Sequence, residues 1–387
     1  MKVAVNIHCL HPPLTGIGHY ARHLLELMLA DSSVEVVGLS HRGWHSADEV
    51  AAIVTSDVGY VEAEAPPVAV SEARRFLRRI PGASQIKAQL TACRRRAVDK
   101  RHQDALYWEP NYLLLPNENP ALVTVHDLSH LRHPEFHPDS RLQELARLPE
   151  SIARAGALAT VSEFSRRELS QLMHIDPEDV LLIPPAVSSD FAPREESELA
   201  ELRARLRLPE HFILFAGTLE PRKNLPRLLR AFSSLPADIQ REYPLLIAGS
   251  QGWHYDGLQS VIGELDNANI RCLGYVDNAD MPGLFAAATV FAYPSLYEGF
   301  GMPVLEAMAS GCAVLTSDCA SLPEVAEDGA LLVDPHSQAS IQEGLLALLE
   351  NAALRRDFIA RGLSCASSRR WQSSYGTLRD ALACLAV

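Results

Sequence analysis

Glu298 and Glu306 stand eight residues apart in the segment SLYEGFGMPVLEAMASG, residues 295–311. Gly299 and Gly301 between them let the main chain come close to a ligand. Pro303 suits the first turn of a following helix, and Glu306 lies one turn further in. Free amides at such a helix start attract anions. A loop carboxylate is ordinarily a solvated surface group, and a carboxylate near a helix start ordinarily serves the helix dipole. Two of them around one glycine loop describe a site instead, addressed from the loop by one residue and from the helix by the other.

A second segment, FAGTLEPRKNLPRLLRAF (215–232), ends a strand in a Gly217-Thr218 turn and places Arg222 and Lys223 just before a helix beginning near Leu225. Cations at a helix start oppose its dipole. Their placement implies an anion for them to meet, and both side chains neutralise phosphate oxygens well. Thr15-Gly16-Ile17-Gly18 has the composition of a phosphate-approach loop but matches neither GxGxxG nor a Walker sequence, and a tight turn accounts for it equally. In VTVHDLSHLRHPEFHP (123–138), His126 and Asp127 end a buried strand, where doubly wound sheets meet their ligands. His130, His133 and His137 follow, but Pro134 interrupts any helix that would align them, and they are not read as a metal site. No DxD sequence is present to hold a divalent ion against a diphosphate.

These groups need a frame, and the chain supplies one. Apolar strand-like runs at 2–7, 34–39, 105–108, 121–125, 157–161 and 180–183 alternate with helical segments. Proline and turn formers over 184–197 mark a linker. The alternation restarts with runs at 212–216, 244–249, 270–274, 289–293, 313–316 and 330–333. This is an α/β pattern of two successive doubly wound parallel units, residues 1–190 and 191–369, with a ligand cleft between them at the strands' carboxyl ends. The 387 residues suit two to three domains. A 47% hydrophobic share is enough for a core in each. A net charge of −13 argues against nucleic acid as a partner. The seven scattered cysteines, without CxxC spacing, fit a reducing cytoplasm. No apolar run is long enough to span a membrane, and the first residues lack the apolar stretch of a secretory signal.

Glu298 to Glu306 fits the E-x7-E pattern of retaining glycosyltransferases with the two-domain GT-B fold. GTLEPRKN, VHDL, TVSEFSRREL (160–169) and SLPEVAEDGALLVDP (321–335) also resemble that nucleotide-sugar-dependent group, numbered four among glycosyltransferases, and in particular its O-antigen mannosyltransferase branch. The matches run from Lys2 to about Trp371. The resemblance implies two Rossmann-like domains, an acceptor-binding one first and a donor-binding one second, with a C-terminal helix over about 370–387 returning to the first. It implies that Glu306 holds the ribose hydroxyls, that Glu298 contacts the donor sugar, and that Arg222 and Lys223 hold the diphosphate. The main chain around Gly299, Phe300, Gly301, Met302, Val304 and Leu305 would bind sugar hydroxyls and phosphate. Gly217 and Thr218 would line the donor site, Gly274 to Val276, including Tyr275, would face the base, and Gly16 would let the first loop approach the diphosphate. His126 would sit by the reacting carbon, with Asp127 on the acceptor side. The usual double glycine of the first loop is Thr15-Gly16 here, which makes close approach before Gly16 less free.

The implied donor is a GDP-sugar carrying mannose or a 6-deoxyhexose, used without metal or other cofactor, and the acceptor is a saccharide or lipid-linked saccharide. UDP-glucose as donor, and a non-catalytic nucleotide-sugar-binding subunit, are the alternatives. A hydrolase would need paired carboxylates but not Arg222-Lys223. A phosphorylase would need a cofactor lysine, and no lysine follows Lys223. Residues 74–101 hold ten Arg and Lys against Asp99 alone, interleaved with Phe76, Leu77, Ile80, Ile86 and Leu90. Such a basic amphipathic segment reads as an element drawn to an anionic membrane surface, hence a cytoplasmic protein peripheral at the inner face.

Overall fold

The computed structural model describes residues 1–11, 14–40, 43–56, 102–115, 118–250, 252, 261, 263, 265 and 269–386. The basic segment 74–101 lies outside the described residues. Thirteen strands are present among those described: β1 Lys2–Asn6, β2 Glu35–Ser40, β3 Gly43–His45, β4 Leu106–Glu109, β5 Ala121–Val125, β6 Ala157–Thr160, β7 Val180–Leu182, β8 Ile213–Ala216, β9 Leu245–Ala248, β10 Ile270–Gly274, β11 Val290–Tyr293, β12 Ala313–Ser317 and β13 Leu331–Val333. Twelve fall on the apolar runs of the sequence. The exception, β3, pairs antiparallel with β2. Its three residues, GWH, carry no alternation that would announce a strand.

The first sheet has the order β3-β2-β1-β4-β5-β6-β7 and the second β10-β9-β8-β11-β12-β13. Apart from β3, neighbouring strands are parallel. Strands buried on both faces must be largely apolar. β8 (ILFA), β9 (LLIA) and β11 (VFAY) are buried throughout with no charged or small polar residue, and the polar residues Asn6 of β1, Thr124 of β5, and Thr316 and Ser317 of β12 are buried too. Each sheet reverses its winding once, between β1 and β4 in the first and between β8 and β11 in the second. Loops leaving adjacent strands diverge there and leave a crevice at the carboxyl ends.

The chain passes from β7 to the second unit through an irregular stretch ending at the helix Glu196–Leu206. It returns at its end. The last helix, Trp371–Cys384, packs on the helix Gly16–Ala30 of the first unit. Tyr375 donates to Asp31 Oδ2 (2.8 Å), Ser374 donates to the Pro184 carbonyl (2.5 Å), and the Trp371 ring stacks on His23 at 4.8 Å.

Candidate active site

The loops after β8 and β11 meet at the switch point of the second sheet. Pro221–Lys223 form one 3-10 turn, ended by Asn224 at φ 59°. Asparagine tolerates that left-handed backbone better than most residues. Its side-chain amide donates to the carbonyls of Pro294 (2.9 Å) and Pro335 (2.8 Å), and Leu296 N donates to Arg222 O (2.8 Å). These bonds fix the cation-bearing turn against the loop that carries Glu298.

Lys223 Nζ donates to Glu298 Oε1 (2.6 Å) and to the Tyr293 hydroxyl (2.5 Å). Arg222 donates to Glu298 Oε2 (2.5 Å) and, through Nε, to Glu220 Oε1 (2.6 Å). Glu220, Lys223 and Glu298 are all buried. The anion that the cations were expected to meet is thus supplied first from within the protein, by two carboxylates. Burial alone would raise the Glu298 carboxyl, but the Arg222 and Lys223 charges override it and hold it at about 2. Burial, aided by Arg222, pulls the Lys223 ammonium below its ordinary value even though Glu298 opposes the shift. Two positive and two negative groups out of water are stable only as a set, since removing one partner strands a buried charge at a cost of about 3–5 kcal/mol.

Glu306 differs. It sits on the helix Met302–Ala309, half-buried, with no side-chain partner among the described residues, and burial pushes its carboxyl up to about 7. The helix starts after Gly301 at φ 103° with no side-chain cap. Pro303 has no N–H and the Val304 N–H is used within the turn, so the amide this helix start offers an anion is that of Met302. Val304 and Leu305 have fully buried side chains, and the Val304 amide is donated to Gly301 O (3.0 Å). These two can offer a ligand main chain only.

The two units meet beside Glu298. A Cβ on Gly299 would lie 2.3 Å from His126 O and 2.8 Å from Asp127 Cβ, so only glycine fits. Its carbonyl accepts from Ser162 Oγ (2.6 Å) and Ser165 Oγ (3.2 Å). The Tyr297 hydroxyl accepts from Leu128 N (3.1 Å) and donates to Glu168, and Glu324 accepts from Glu163 N (2.8 Å) and Phe164 N (3.1 Å) at a helix start of the first unit.

His126 is buried at the end of β5, with Nε2 2.7 Å from the Pro110 carbonyl, which assigns the proton to Nε2 and leaves Nδ1 as acceptor. Burial lowers its pKa, and Pro110 and Asp127 only partly offset this. Burial works against the Asp127 charge, but Arg222 across the cleft and two bonds from Ser129 (3.0 and 2.8 Å) outweigh it and hold the carboxyl below its usual range.

The remaining expected residues scatter around this centre. Gly16 opens the helix Gly16–Ala30, and the space where its side chain would be is empty, whereas Gly18 packs a missing Cβ 2.7 Å from Cys9 O. The open space at Gly16 is where a ligand could be approached, and the tight packing within the protein is at Gly18. Gly217 has φ 141°, and Gly249 leaves no room for a side chain against Gly217 O (1.9 Å). Thr218 is exposed, Tyr275 is 56% exposed beside buried Val276, and Phe300 and Gly301 are buried while Met302 is partly so. The sequence did not single out Glu220, Tyr293, Tyr297 or Gly249. Only Glu220 left a signal there, as the carboxylate two residues before an adverse cation pair. His130 is buried, His133 stacks on Phe136 at 4.9 Å, and His137 Nε2 lies 2.9 Å from Ser129 Oγ. Among the described residues no three His, Cys, Asp or Glu are grouped to hold a metal ion, and no helix is long and apolar enough to cross a membrane.

Comparison with known proteins places this geometry. The family described as "Glycosyl transferases group 1" matches residues 200–364, which contain the cation pair and both carboxylates. The O-antigen chain mannosyltransferase B of Escherichia coli is 34% identical over 378 residues, covering 96% of this chain and 97% of its own. Sucrose-phosphate synthase from Thermosynechococcus elongatus has the same fold, with a TM-score of 0.71 at 19% identity over 100% of this chain and 99% of that one. So does WaaG, a glycosyltransferase of lipopolysaccharide biosynthesis, with a TM-score of 0.68 at 15% identity over 98% and 99%. With its two parallel-sheet units in the GT-B arrangement, the chain belongs to the group 1 glycosyltransferases, enzymes that transfer a sugar from a nucleotide-sugar donor to a saccharide acceptor and release the nucleotide.

Proposed function

We propose that this enzyme is a retaining, metal-independent transferase that moves mannose or a 6-deoxyhexose from a GDP-sugar to a saccharide or lipid-linked saccharide in surface-polysaccharide synthesis. The observation that carries the reading is the Arg222–Lys223 pair held on Glu298 at the switch point, directly across from His126. The likeness to a protein named as an O-antigen mannosyltransferase supports the choice of sugar.

In this reading the donor diphosphate lies on Arg222, Lys223 and the Met302 amide at the helix start, and Glu306 accepts from the ribose hydroxyls. Glu298 and the main chain of Gly299 and Phe300 hold the sugar, and Gly16 leaves room for the first unit to close over the phosphates. Gly217, Thr218, Tyr275 and Val276 border the nucleotide. The bond between the anomeric carbon and the diphosphate breaks with its electron pair going to phosphate oxygen. The acceptor oxygen bonds to the same carbon from the same face, and its proton passes to the leaving phosphate. Fixed cations at the leaving oxygen lower the barrier because they need no reorganisation, and they supply the charge a divalent ion would otherwise bring. His126 Nδ1 faces the sugar, and Asp127 orients the acceptor. Attachment to the inner face of an anionic membrane through 74–101 would bring a lipid-linked acceptor to the cleft.

The test is the thermal shift with GDP, UDP and ADP, each in EDTA. A ligand at 100 times its Kd adds about 2.7 kcal/mol to the folded state. A GDP-selective shift is the expected result. Selectivity for UDP would replace the donor by a UDP-sugar such as UDP-glucose, and selectivity for ADP would likewise discard the GDP donor. No shift with any of the three would overturn the nucleotide-sugar reading, whereas a shift without donor turnover would favour the non-catalytic nucleotide-sugar-binding subunit.

A further inference from the structure

Glu109, the last residue of β4, has no exposed surface. It stands at the switch point of the first sheet, beside Asn6 at the end of the adjacent β1. Asn6 Nδ2 donates to both of its oxygens (3.1 and 2.8 Å), the Tyr107 hydroxyl donates to Oε2 (3.3 Å), and Asn111 N donates to Oε1 (3.2 Å). Asn6 in turn accepts from His8 N (3.1 Å). One carboxyl therefore ties together the two loops that diverge at this crevice.

Each loop leads to the reaction centre. The loop after β1 runs on to Gly16. In the loop after β4, the Pro110 carbonyl accepts from His126 Nε2 (2.7 Å), and the Tyr112 hydroxyl accepts from Asp127 N (3.1 Å). Tyr112 holds φ 58°, a strained value for a tyrosine, and such strain persists only where the surroundings enforce it. An acid wholly out of water is a costly choice for packing alone. Burial pushes the Glu109 carboxyl up to about 8, against the pull of Asn6 and its other donors.

We propose that Glu109 is a positioning residue for sugar transfer: through Asn6 and the 110–112 turn it sets the approach of the first loop and the orientation of His126 and Asp127. The proposal rests on the reading of those residues given above.

The experiment compares Glu109→Gln, Asn6→Asp, the double variant and, separately, His126→Ala. Transfer rate at saturating donor and acceptor, GDP affinity and Tm are measured for each. At pH 9, above the Glu109 value, so that it is the carboxylate Asn6 donates to, Glu109→Gln sets two amides against each other and Asn6→Asp sets two carboxylates together, whereas the double variant restores a donor–acceptor pair with its polarity reversed. Each single variant is expected to lose at least tenfold in kcat with GDP affinity within threefold of the parent, because the nucleotide is held by the other unit. The double variant is expected to regain most of the rate. Parental kcat in Glu109→Gln, or a double variant that regains Tm but not rate, would overturn the proposal, and if Glu109→Gln does not fold the double variant alone decides it. Parental kcat in His126→Ala would overturn the underlying reading and the proposal with it. A dead His126→Ala beside an unimpaired Glu109→Gln would overturn only the role of Glu109.

Discussion

Replacing Gly299 by alanine tests whether the contact between the units is needed for turnover. The added Cβ would lie 2.3 Å from His126 O, and ordinary carbon–oxygen contact is about 3.4 Å, so the units must separate there by roughly 1 Å. That movement stretches the Ser162 and Ser165 bonds to Gly299 O, now 2.6 and 3.2 Å, beyond hydrogen-bond range. Overpacking costs about 1–3 kcal/mol and two lost bonds about 0.5–1.5 kcal/mol each. The closed arrangement is then disfavoured by roughly 2–6 kcal/mol, which is at least about thirtyfold in rate if closure limits turnover. A misplacement of about 1 Å at a reacting centre independently costs on the order of a hundredfold. The clash is relieved by opening and not by unfolding, so Tm and GDP affinity are expected to stay near the parent's while kcat falls thirtyfold or more in a coupled nucleotide-release assay. Gly376→Ala is the control. Its position in the last helix is open, and the change should add about 0.5–1 kcal/mol of stability without touching rate. A Gly299→Ala enzyme that turns over within threefold of the parent would refute the argument that this contact holds the reacting geometry.

Two further outcomes follow from the charges. Glu306 has its carboxyl raised to about 7; folding favours its protonated form, so its contribution to stability is present below the ordinary glutamate pKa and lost as pH rises through about 7. In the proposed donor pose Glu306 accepts from the ribose hydroxyls, which favours its ionised form, so GDP affinity should fall as pH drops below about 7, approaching tenfold per unit, and Glu306→Gln should abolish the slope in calorimetric titrations between pH 5 and 8 (about 1.4 kcal/mol per unit). Glu298 competes with a diphosphate for Arg222 and Lys223, so Glu298→Gln should bind GDP more tightly while turnover falls about a hundredfold or more; weaker GDP binding with unchanged turnover would contradict the competition.

Much of the frame was legible because a parallel sheet buried on both faces forces apolar runs, and twelve such runs became strands. The short β3 escaped because pairing, not composition, makes Gly43–His45 a strand. Within the site, Glu298, Glu306, Arg222 and Lys223 could be singled out because they are local to two glycine- and proline-marked loops. Their partners could not. Tyr293 ends a strand that reads as pure core, and Tyr297 finds its partner Glu168 in the other unit, 129 residues away. Glu109 follows the apolar run 105–108 with no local signal of its own, and only the adjacency of β1 and β4 brings Asn6 against it.

The last helix gives the chain an order of completion that its numbering hides. Trp371–Cys384 packs on Gly16–Ala30 and ties Tyr375 to Asp31, so the unit that is synthesised first is finished last. The second unit has its last strand at Leu331–Val333 and its last covering helix at Ala352–Ser368, so all of it is made before the first unit receives its final piece. In effect the second unit is an insertion in the first. A chimera that exchanges donor specificity with a relative must therefore be cut twice, once in the irregular stretch after β7 and once just before Trp371. A single junction would leave each first unit carrying a closing helix made for another.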